Sequence, residues 1–357
     1  VRRMKLPIAL PVDPMLAKLV PAIPAPDKVE GGLAYEPKWD GFRCIALRDS
    51  DEVELASRGS KPLTRYFPEV VDAVRRLFPE RAAIDCEVVV RWGEPGAERL
   101  DWGLLSQRIH PAASRVAKLA RETPAELVCF DILALGDDDL MPLPYRERRA
   151  ALVEALAHLT PGDPIHVTRT TDDPALAQRW FEQFEGAGLD GVVAKPAAAP
   201  YAPGKRTMFK IKHSRTADVV PYGYRVHKSG RGVGSILLGL YDADGRLLPV
   251  GGASAFSNAY REQLIELLEP LVRRDADGRP VHAETERSRF SGAKDTGFVP
   301  LEPELVMEVR FDQLEGVRFR HAAQFVRWRP DREPASCTLA QIDRAPAYDL
   351  GDVLADA

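Results

Sequence analysis

The feature that most constrains the fold is a change of pattern between Lys212 and Ala217. There the polar run His213-Ser214-Arg215-Thr216 separates a region of mixed helical and strand periodicity from one of short strands and turns. A chain of 357 residues fits about two domains better than one compact core. We expect a first domain over residues 1–213 and a second over 214–357. In the first, Leu33 to Asp49 and Glu52 to Arg58 read as strands of an antiparallel hairpin joined by Asp49-Ser50-Asp51. Apolar residues at helical spacing predict helices over Pro68 to Phe78, Tyr145 to Leu159 and Asp173 to Gly186. Ala82 to Arg91, Glu126 to Leu135 and Gly191 to Lys195 read as strands between them, and the first 30 residues, rich in proline, as a surface wrap. The fold class is α+β with antiparallel sheets. In the second domain, about six short strands between Asp218 and Arg329 and one helix over Asn258 to Val272 fit a small β-barrel of the OB type.

A formal net charge of −4 supplies no global basic field, so any nucleic-acid contact must come from local clusters of Arg and Lys. Cys44, Cys86, Cys129 and Cys337 are far apart, form no Cys-x-x-Cys pair and read as buried free thiols of a reducing compartment. No stretch reaches the ~18 consecutive apolar residues of a membrane span. The start, Val1-Arg2-Arg3-Met4-Lys5-Leu6-Pro7, lacks the apolar core of a signal peptide. A cytoplasmic protein without membrane contact is expected.

The segment Glu36-Pro37-Lys38-Trp39-Asp40-Gly41-Phe42-Arg43 brings together a nucleophile, a carboxylate, a flexible glycine and a phosphate-binding cation. An amine attacks phosphorus only when neutral, and a free lysine with pKa ~10.4 is almost wholly protonated at neutral pH. Lys210 and Lys212, two apart on a strand, project to one side, where they would cradle a phosphate and hold the pKa of Lys38 down. Asp85 and Glu87 share a strand face by the same spacing. Glu87 and Asp190 are hard oxygen ligands of the kind that Mg²⁺ or Mn²⁺ takes. Glu87 equally suits a ribose hydroxyl, Asp190 a turn between Gly188 and Gly191, and Phe130 either core packing or nucleobase stacking.

Read in order, Lys38, Asp40, Arg43, Arg58, Glu87, Phe130, Asp190, Lys195, Lys210 and Lys212 resemble the ordered motifs of covalent nucleotidyltransferases, specifically ATP-dependent DNA ligases. The resemblance spans nearly the whole chain. It takes in Pro14-Met15-Leu16-Ala17, Glu36 to Arg43, Ser57-Arg58-Gly59, Ile84 to Val89, Phe130-Asp131, Leu189 to Lys195, Tyr201 to Arg206 and Phe209 to Lys212. Val250 to Ser257 and the arginine-rich run Arg318 to Arg332 are similar to OB segments of that family. The resemblance implies an adenylyltransferase domain followed by an OB-fold domain, with ATP, Mg²⁺ or Mn²⁺, and nicked duplex DNA as partners. It implies Lys38 as the nucleophile that carries AMP, assisted by Asp40, Lys210 and Lys212. Glu36, Arg43, Arg58, Glu87, Phe130, Lys195 and Arg206 would surround the nucleotide, and Glu87 and Asp190 would hold metal. Arg320 and Arg327 would meet the leaving pyrophosphate after the second domain swings over. The family usually carries glutamate at the place of Asp190, so a contact through water or a shifted backbone is implied there.

The implied reaction seals a nick through lysyl-AMP and then adenylylated DNA. A monomer is implied by resemblance alone. The absence of sequence before Val1 carries the expectation that no separate DNA-encircling domain is present, hence an auxiliary, repair-associated enzyme. Two other readings remain: a GTP-dependent capping-type guanylyltransferase or RNA ligase, which shares Lys-x-Asp-Gly, and a non-catalytic OB-type DNA-binding protein built on the arginine-aromatic run.

Overall fold

The computed structural model describes residues 4–57, 62–284, 297–342 and 346–355. Packing divides it into two compact units, Val1–Lys212 with Ala345–Ala357, and His213–Arg344. In the first unit the chain forms β1 (Leu16–Leu19), β2 (Leu33–Pro37), β3 (Phe42–Asp49), β4 (Glu52–Ser57), α1 (Pro68–Leu77) and β5 (Arg81–Val89). It continues through β6 (Glu126–Leu135), α2 (Tyr145–Ala155), β7 (Ile165–Val167), α3 (Pro174–Gln183), β8 (Gly191–Pro196) and β9 (Arg206–Lys212).

One sheet has the order β1-β9-β8-β2 and the other β7-β6-β5-β3-β4. The ladders joining β9 to β8, β8 to β2, β4 to β3, β3 to β5 and β5 to β6 are antiparallel, as expected, while β1 joins β9 and β7 joins β6 in parallel. Part of the proline-rich start is therefore sheet rather than wrap. The expected continuous strand from Leu33 to Asp49 is also broken, because the chain leaves one sheet for the other between Lys38 and Gly41. Gly41 passes so close to β5 that a Cβ there would stand 2.1 Å from the Val88 carbonyl oxygen, which only glycine permits.

Strand alternation builds the layers. Cys44 and Ala46 of β3 face a core with Val70, Ala73 and Val74 of α1 and Leu152 of α2, while Ile45 and Leu47 face Met15, Tyr201 and Met208 on the other side. Behind the four-stranded sheet, Leu33, Tyr35, Val192, Ala194 and Ile211 pack with Ala177 of α3. That helix is capped by Asp173, whose carboxylate accepts from the Ala175 N–H. The four cysteines are free and buried.

The second unit contains β10 (Arg215–Val226), β11 (Val233–Tyr241), β12 (Leu247–Ala253), α4 (Asn258–Leu268), β13 (Gly297–Pro300), β14 (Met307–Phe311) and β15 (Gln324–Trp328). Twelve-residue β10 is shared: Arg215 to Val219 pair with β14 and Val220 to Val226 with β11. β15 then pairs with β14. This is an OB-type antiparallel unit around one core, but no ladder closes it into a barrel among the described residues. The isolated bridge between Ala253 and Ala323 is what joins β12 to the chain entering β15. Arg318–Phe319 adds a strand of only two residues to this unit.

Residues 346–355, expected within the second domain, pack on the first unit. Leu350 and Val353 of α5 (Leu350–Leu354) join Trp180, Phe184 and Leu189 in a small core. No helix among the described residues is long and apolar enough to cross a membrane.

Candidate active site

A cavity of about 210 Å³ opens in the first unit where the two sheets exchange the chain, and Glu36, Lys38, Arg43, Glu87, Phe130, Lys195 and Lys210 line it. These residues come from β2 and its end, β3, β5, β6, β8 and β9, so the site exists only once both sheets have formed. Pairing of β2 with β8 sets Glu36 opposite Val193 and Ala34 opposite Lys195. Two backbone hydrogen bonds continue that pairing past the end of β2. The Lys38 N–H donates to Gly191 O over 2.9 Å and the Asp190 N–H to Lys38 O over 3.0 Å. Gly191 is needed at this crossing, since a Cβ would stand 2.0 Å from Ile211 O and its φ is +135°.

Asp190 is consequently held against the nucleophile candidate. Its Oδ2 lies 2.6 Å from Lys38 Nζ and 2.8 Å from Lys212 Nζ, and its side chain is 2% exposed. Burial of Lys38 favours the neutral amine, but the Asp190 carboxylate outweighs it, helped by Glu87 and Asp40, and the pKa of Lys38 stands above the ordinary lysine value. This corrects the expectation that Lys210 and Lys212 hold it down. The depressed lysine is Lys210, through burial and the charges of Lys212 and Lys38. Burial would raise the Asp190 carboxyl, yet Lys38 and Lys212 prevail and lower it.

Glu36 closes the other end of the cavity. One carboxylate oxygen accepts from the Tyr145 hydroxyl and the other lies 2.9 Å from Lys195 Nζ. Lys195 also donates to the Phe130 carbonyl over 3.0 Å, with its ammonium 4.9 Å from the Phe130 ring centroid. Arg43 covers the same ring at 4.4 Å and is gripped by both oxygens of Asp85 at 2.6 Å. Tyr201 donates to Asp85 in turn. Phe130 both packs, at 6% exposure, and lines the cavity.

Glu87 accepts from the Gly41 N–H at 3.1 Å, and removal from bulk water pushes its carboxyl up to about 7 against the opposing charges of Arg43 and Lys38. Asp190 keeps one buried oxygen, Oδ1, without a hydrogen-bond partner. Both carboxylates are hard oxygen donors, but no group of three or more His, Cys, Asp or Glu capable of holding an ion occurs among the described residues. The donor set fits a divalent cation that draws its remaining ligands from phosphate oxygens and water.

Asp40, Asp190, Arg206 and Lys212 do not line the cavity, although the charges of Asp40 and Asp190 act on Lys38, that of Asp40 also on Glu87, and those of Lys212 and Arg206 on Lys210. Arg58 lies outside the described residues. Arg320 and Arg327 belong to the second unit, where Arg320 donates to Gln313 over 2.6 Å and Arg327 to Glu308 over 2.7 Å. Sequence reasoning gave no role to Tyr145, Tyr201 or Arg148, and placed Asp85 only by its spacing. The available signal was chemical: a hydroxyl or guanidinium in an apolar stretch needs a buried partner.

Known proteins match both units of the chain. Residues 14–212 match the family model described as ATP dependent DNA ligase domain, and residues 229–332 that of the ATP dependent DNA ligase C terminal region. The chain is 53% identical to DNA ligase C of Mycobacterium tuberculosis, covering 98% of this chain and 99% of that one. DNA ligase C1 of Mycolicibacterium smegmatis is likewise 53% identical over 98% of this chain and 99% of its own length. A solved Lig E DNA ligase shares the fold at a TM-score of 0.52, with 16% identity over 89% of this chain and all of that one. With one family model matched over residues 14–212, another over residues 229–332, and 53% identity along nearly its whole length to DNA ligase C, the chain belongs to the ATP-dependent DNA ligases.

Proposed function

We propose that this ligase carries AMP on Lys38 and seals 5′-phosphate/3′-hydroxyl nicks in duplex DNA. The observation that carries the reading is the cavity itself, which brings one reactive amine together with Arg43, Lys195 and Lys210 and an aromatic face. Lys38 Nζ, once deprotonated, forms a bond to the ATP α-phosphorus as the bond to the bridging oxygen of pyrophosphate breaks. A 5′-phosphate oxygen of the nick then attacks that phosphorus and releases Lys38. Finally the 3′-hydroxyl attacks the 5′-phosphate phosphorus and AMP leaves. Such transfers rest on positioning and charge neutralisation.

Phe130 offers a stacking face to the nucleobase, and Glu36 an acceptor suited to an exocyclic amine. Lys210, with its depressed pKa, and Arg43 face the phosphates and ribose. The incoming triphosphate competes with Asp190 for Lys38 and Lys212, and Asp190 then neutralises what remains. Glu87 and the orphaned Asp190 oxygen would hold Mg²⁺ or Mn²⁺, which supplies charge neutralisation at the phosphoryl group. Arg320, Arg327 and their neighbours take DNA or pyrophosphate phosphates in exchange for their present partners. The free buried cysteines support a reducing, cytoplasmic setting, and a monomer with a role in DNA repair completes the reading.

The test incubates the protein with labelled ATP or GTP and divalent cation, then resolves it under denaturing conditions. Label from ATP, absent in Lys38→Ala and chased by nicked DNA, is expected. Labelling by GTP alone would overturn the proposal in favour of a capping-type enzyme, and DNA binding without any adduct would favour a non-catalytic module.

A further inference from the structure

We propose that residues 346–355 are a positioning element of the Lys38–Asp190 pair, an inference that rests on the reading of Lys38 as the adenylylated residue. Both family matches leave this stretch out, since they end at residues 212 and 332. Yet it is seated on the first unit by backbone, ring and side-chain contacts together. The Leu350 N–H donates to Glu98 O over 2.9 Å and the Glu98 N–H to Asp349 Oδ2 over 3.1 Å. Arg169 donates to Asp352 O over 2.6 Å, and the Tyr348 ring lies 5.3 Å from that of Phe184. Leu350 and Val353 are each 1% exposed.

The Tyr348 ring contact and the core around Leu350 and Val353 land on the turn that delivers Asp190. The 3-10 turn Phe184–Ala187 is pressed from one side by the segment, so tightly that a Cβ on Gly186 would stand 1.9 Å from Pro346 O. From the other side it is followed by Gly188, at φ +87°, where a Cβ would meet Leu100 O at 2.9 Å. Leu189 is 2% exposed in the same small core, and Asp190 is the next residue. An aspartate has one fewer side-chain torsion than a glutamate, so it cannot reach further to correct a displaced backbone. The contacts of 2.6 Å and 2.8 Å to the two lysines therefore depend on where the turn sits, and the segment fixes the turn.

The test follows single-turnover formation of lysyl-AMP by the whole chain over a range of ATP concentrations, with the thermal unfolding midpoint measured beside it. Leu350→Asp puts a charge into the buried seat. Gly186→Ala pushes Pro346 away from the opposite partner of the same contact, and Leu350→Met is the conservative control. The first two are expected each to lower the maximal rate about tenfold while ATP KM stays within about twofold, because the nucleobase end of the cavity is built elsewhere. The double variant should be no slower than the slower single one, and Leu350→Met should match the parent. Asp349→Ala, which removes the carboxylate that accepts from the Glu98 N–H and, as the N-cap of α5, from the Gly351 N–H, keeps the test decisive should Leu350→Asp not fold. Maximal rates within about twofold of the parent in these variants overturn the proposal. So does a loss of rate accompanied by an equal rise in KM and a lower unfolding midpoint, which is what a merely structural segment gives. A parent protein that forms no adduct at all sinks the lysyl-AMP reading instead, whereas a labelled parent with indifferent variants sinks this inference alone.

Discussion

Lys195 and Glu36 face each other in the first unit with 3% and 4% of their side chains exposed, whereas Arg327 of the second unit meets Glu308 with 62% of its side chain in water. Arg148 and Asp131, behind the cavity, are buried still further at 0% and 2%. Charges taken out of water interact strongly but must be paired during folding, and the cavity is thereby organised before any nucleotide arrives. Exposed pairs cost little to form and little to exchange. The first unit suits recognition of one small ligand of fixed shape, and the second suits phosphates met in varying registers along a backbone.

The largest expected effect breaks the buried side of that comparison. Asp131→Ala leaves the Arg148 guanidinium fully buried with only the Leu143 and Ala199 carbonyls as acceptors. A loss of about 3–5 kcal/mol in unfolding free energy is expected, measured by urea denaturation. A loss no larger than that of a surface substitution would mean that the interior pairs are not what holds the cavity in shape. Next comes Tyr145→Phe, which keeps the buried ring and removes the hydroxyl that donates to Glu36. Leaving that oxygen unpaired weakens binding of a non-hydrolysable ATP analogue by about 1–3 kcal/mol in calorimetry. An unchanged affinity would show that Glu36 needs only Lys195 to stay in place.

The same contrast decides what was legible in the sequence. Lys38, Glu87, Phe130, Lys195 and Lys210 were legible because the resemblance to ordered family motifs singles them out, and the cavity unites them. Asp85, Tyr145 and Tyr201 were not, since their partners lie far along the chain and no local pattern announces a buried hydrogen bond. The break after Pro37 was hidden because largely buried strand residues stand on both sides of it, in β2 and in β3; the contact of Gly41 with β5 reveals the switch. The pKa of Lys38 was misjudged for a related reason. Two nearby cations were visible in the sequence, but the 2.6 Å placement of Asp190 depends on the pairing of β2 with β8. In the second unit the strands were approximately readable, whereas the return of residues 346–355 to the first unit carries no sequence signal beyond a few apolar positions.

A pH dependence sharpens the picture of partly buried charge. Burial would raise the Glu126 carboxyl, but His166 at 2.6 Å and Arg91 at 2.9 Å hold it below the ordinary glutamate value. A carboxylate whose pKa is lowered on folding stabilises the fold above its unfolded pKa, and that contribution is lost as pH falls through the folded value. The stability difference between the parent and Glu126→Gln should therefore be greatest near neutrality and shrink in acid. A difference that does not change between pH 7 and pH 3, by thermal unfolding in matched buffers, would mean that this cluster is not linked to folding.

The smallest effect on stability is expected at Glu308→Gln, and its value lies in what does change. Glu308 accepts from Arg327 at 2.7 Å on the surface of β14 and β15, and this bond lowers the pKa of the carboxyl. Exposed pairs of this sort contribute little to folding, so the unfolding midpoint should not move measurably. The freed guanidinium, however, gains a counterion from solution that a DNA phosphate can replace. Nicked duplex should bind more tightly to Glu308→Gln at low salt, and the slope of log affinity against log salt should steepen by about one counterion. Arg327→Ala should flatten that slope by about the same amount. Identical slopes in all three proteins would place Arg327 outside the DNA path, and the second unit would then owe its phosphate contacts to other arginines of the run from Arg318 to Arg332.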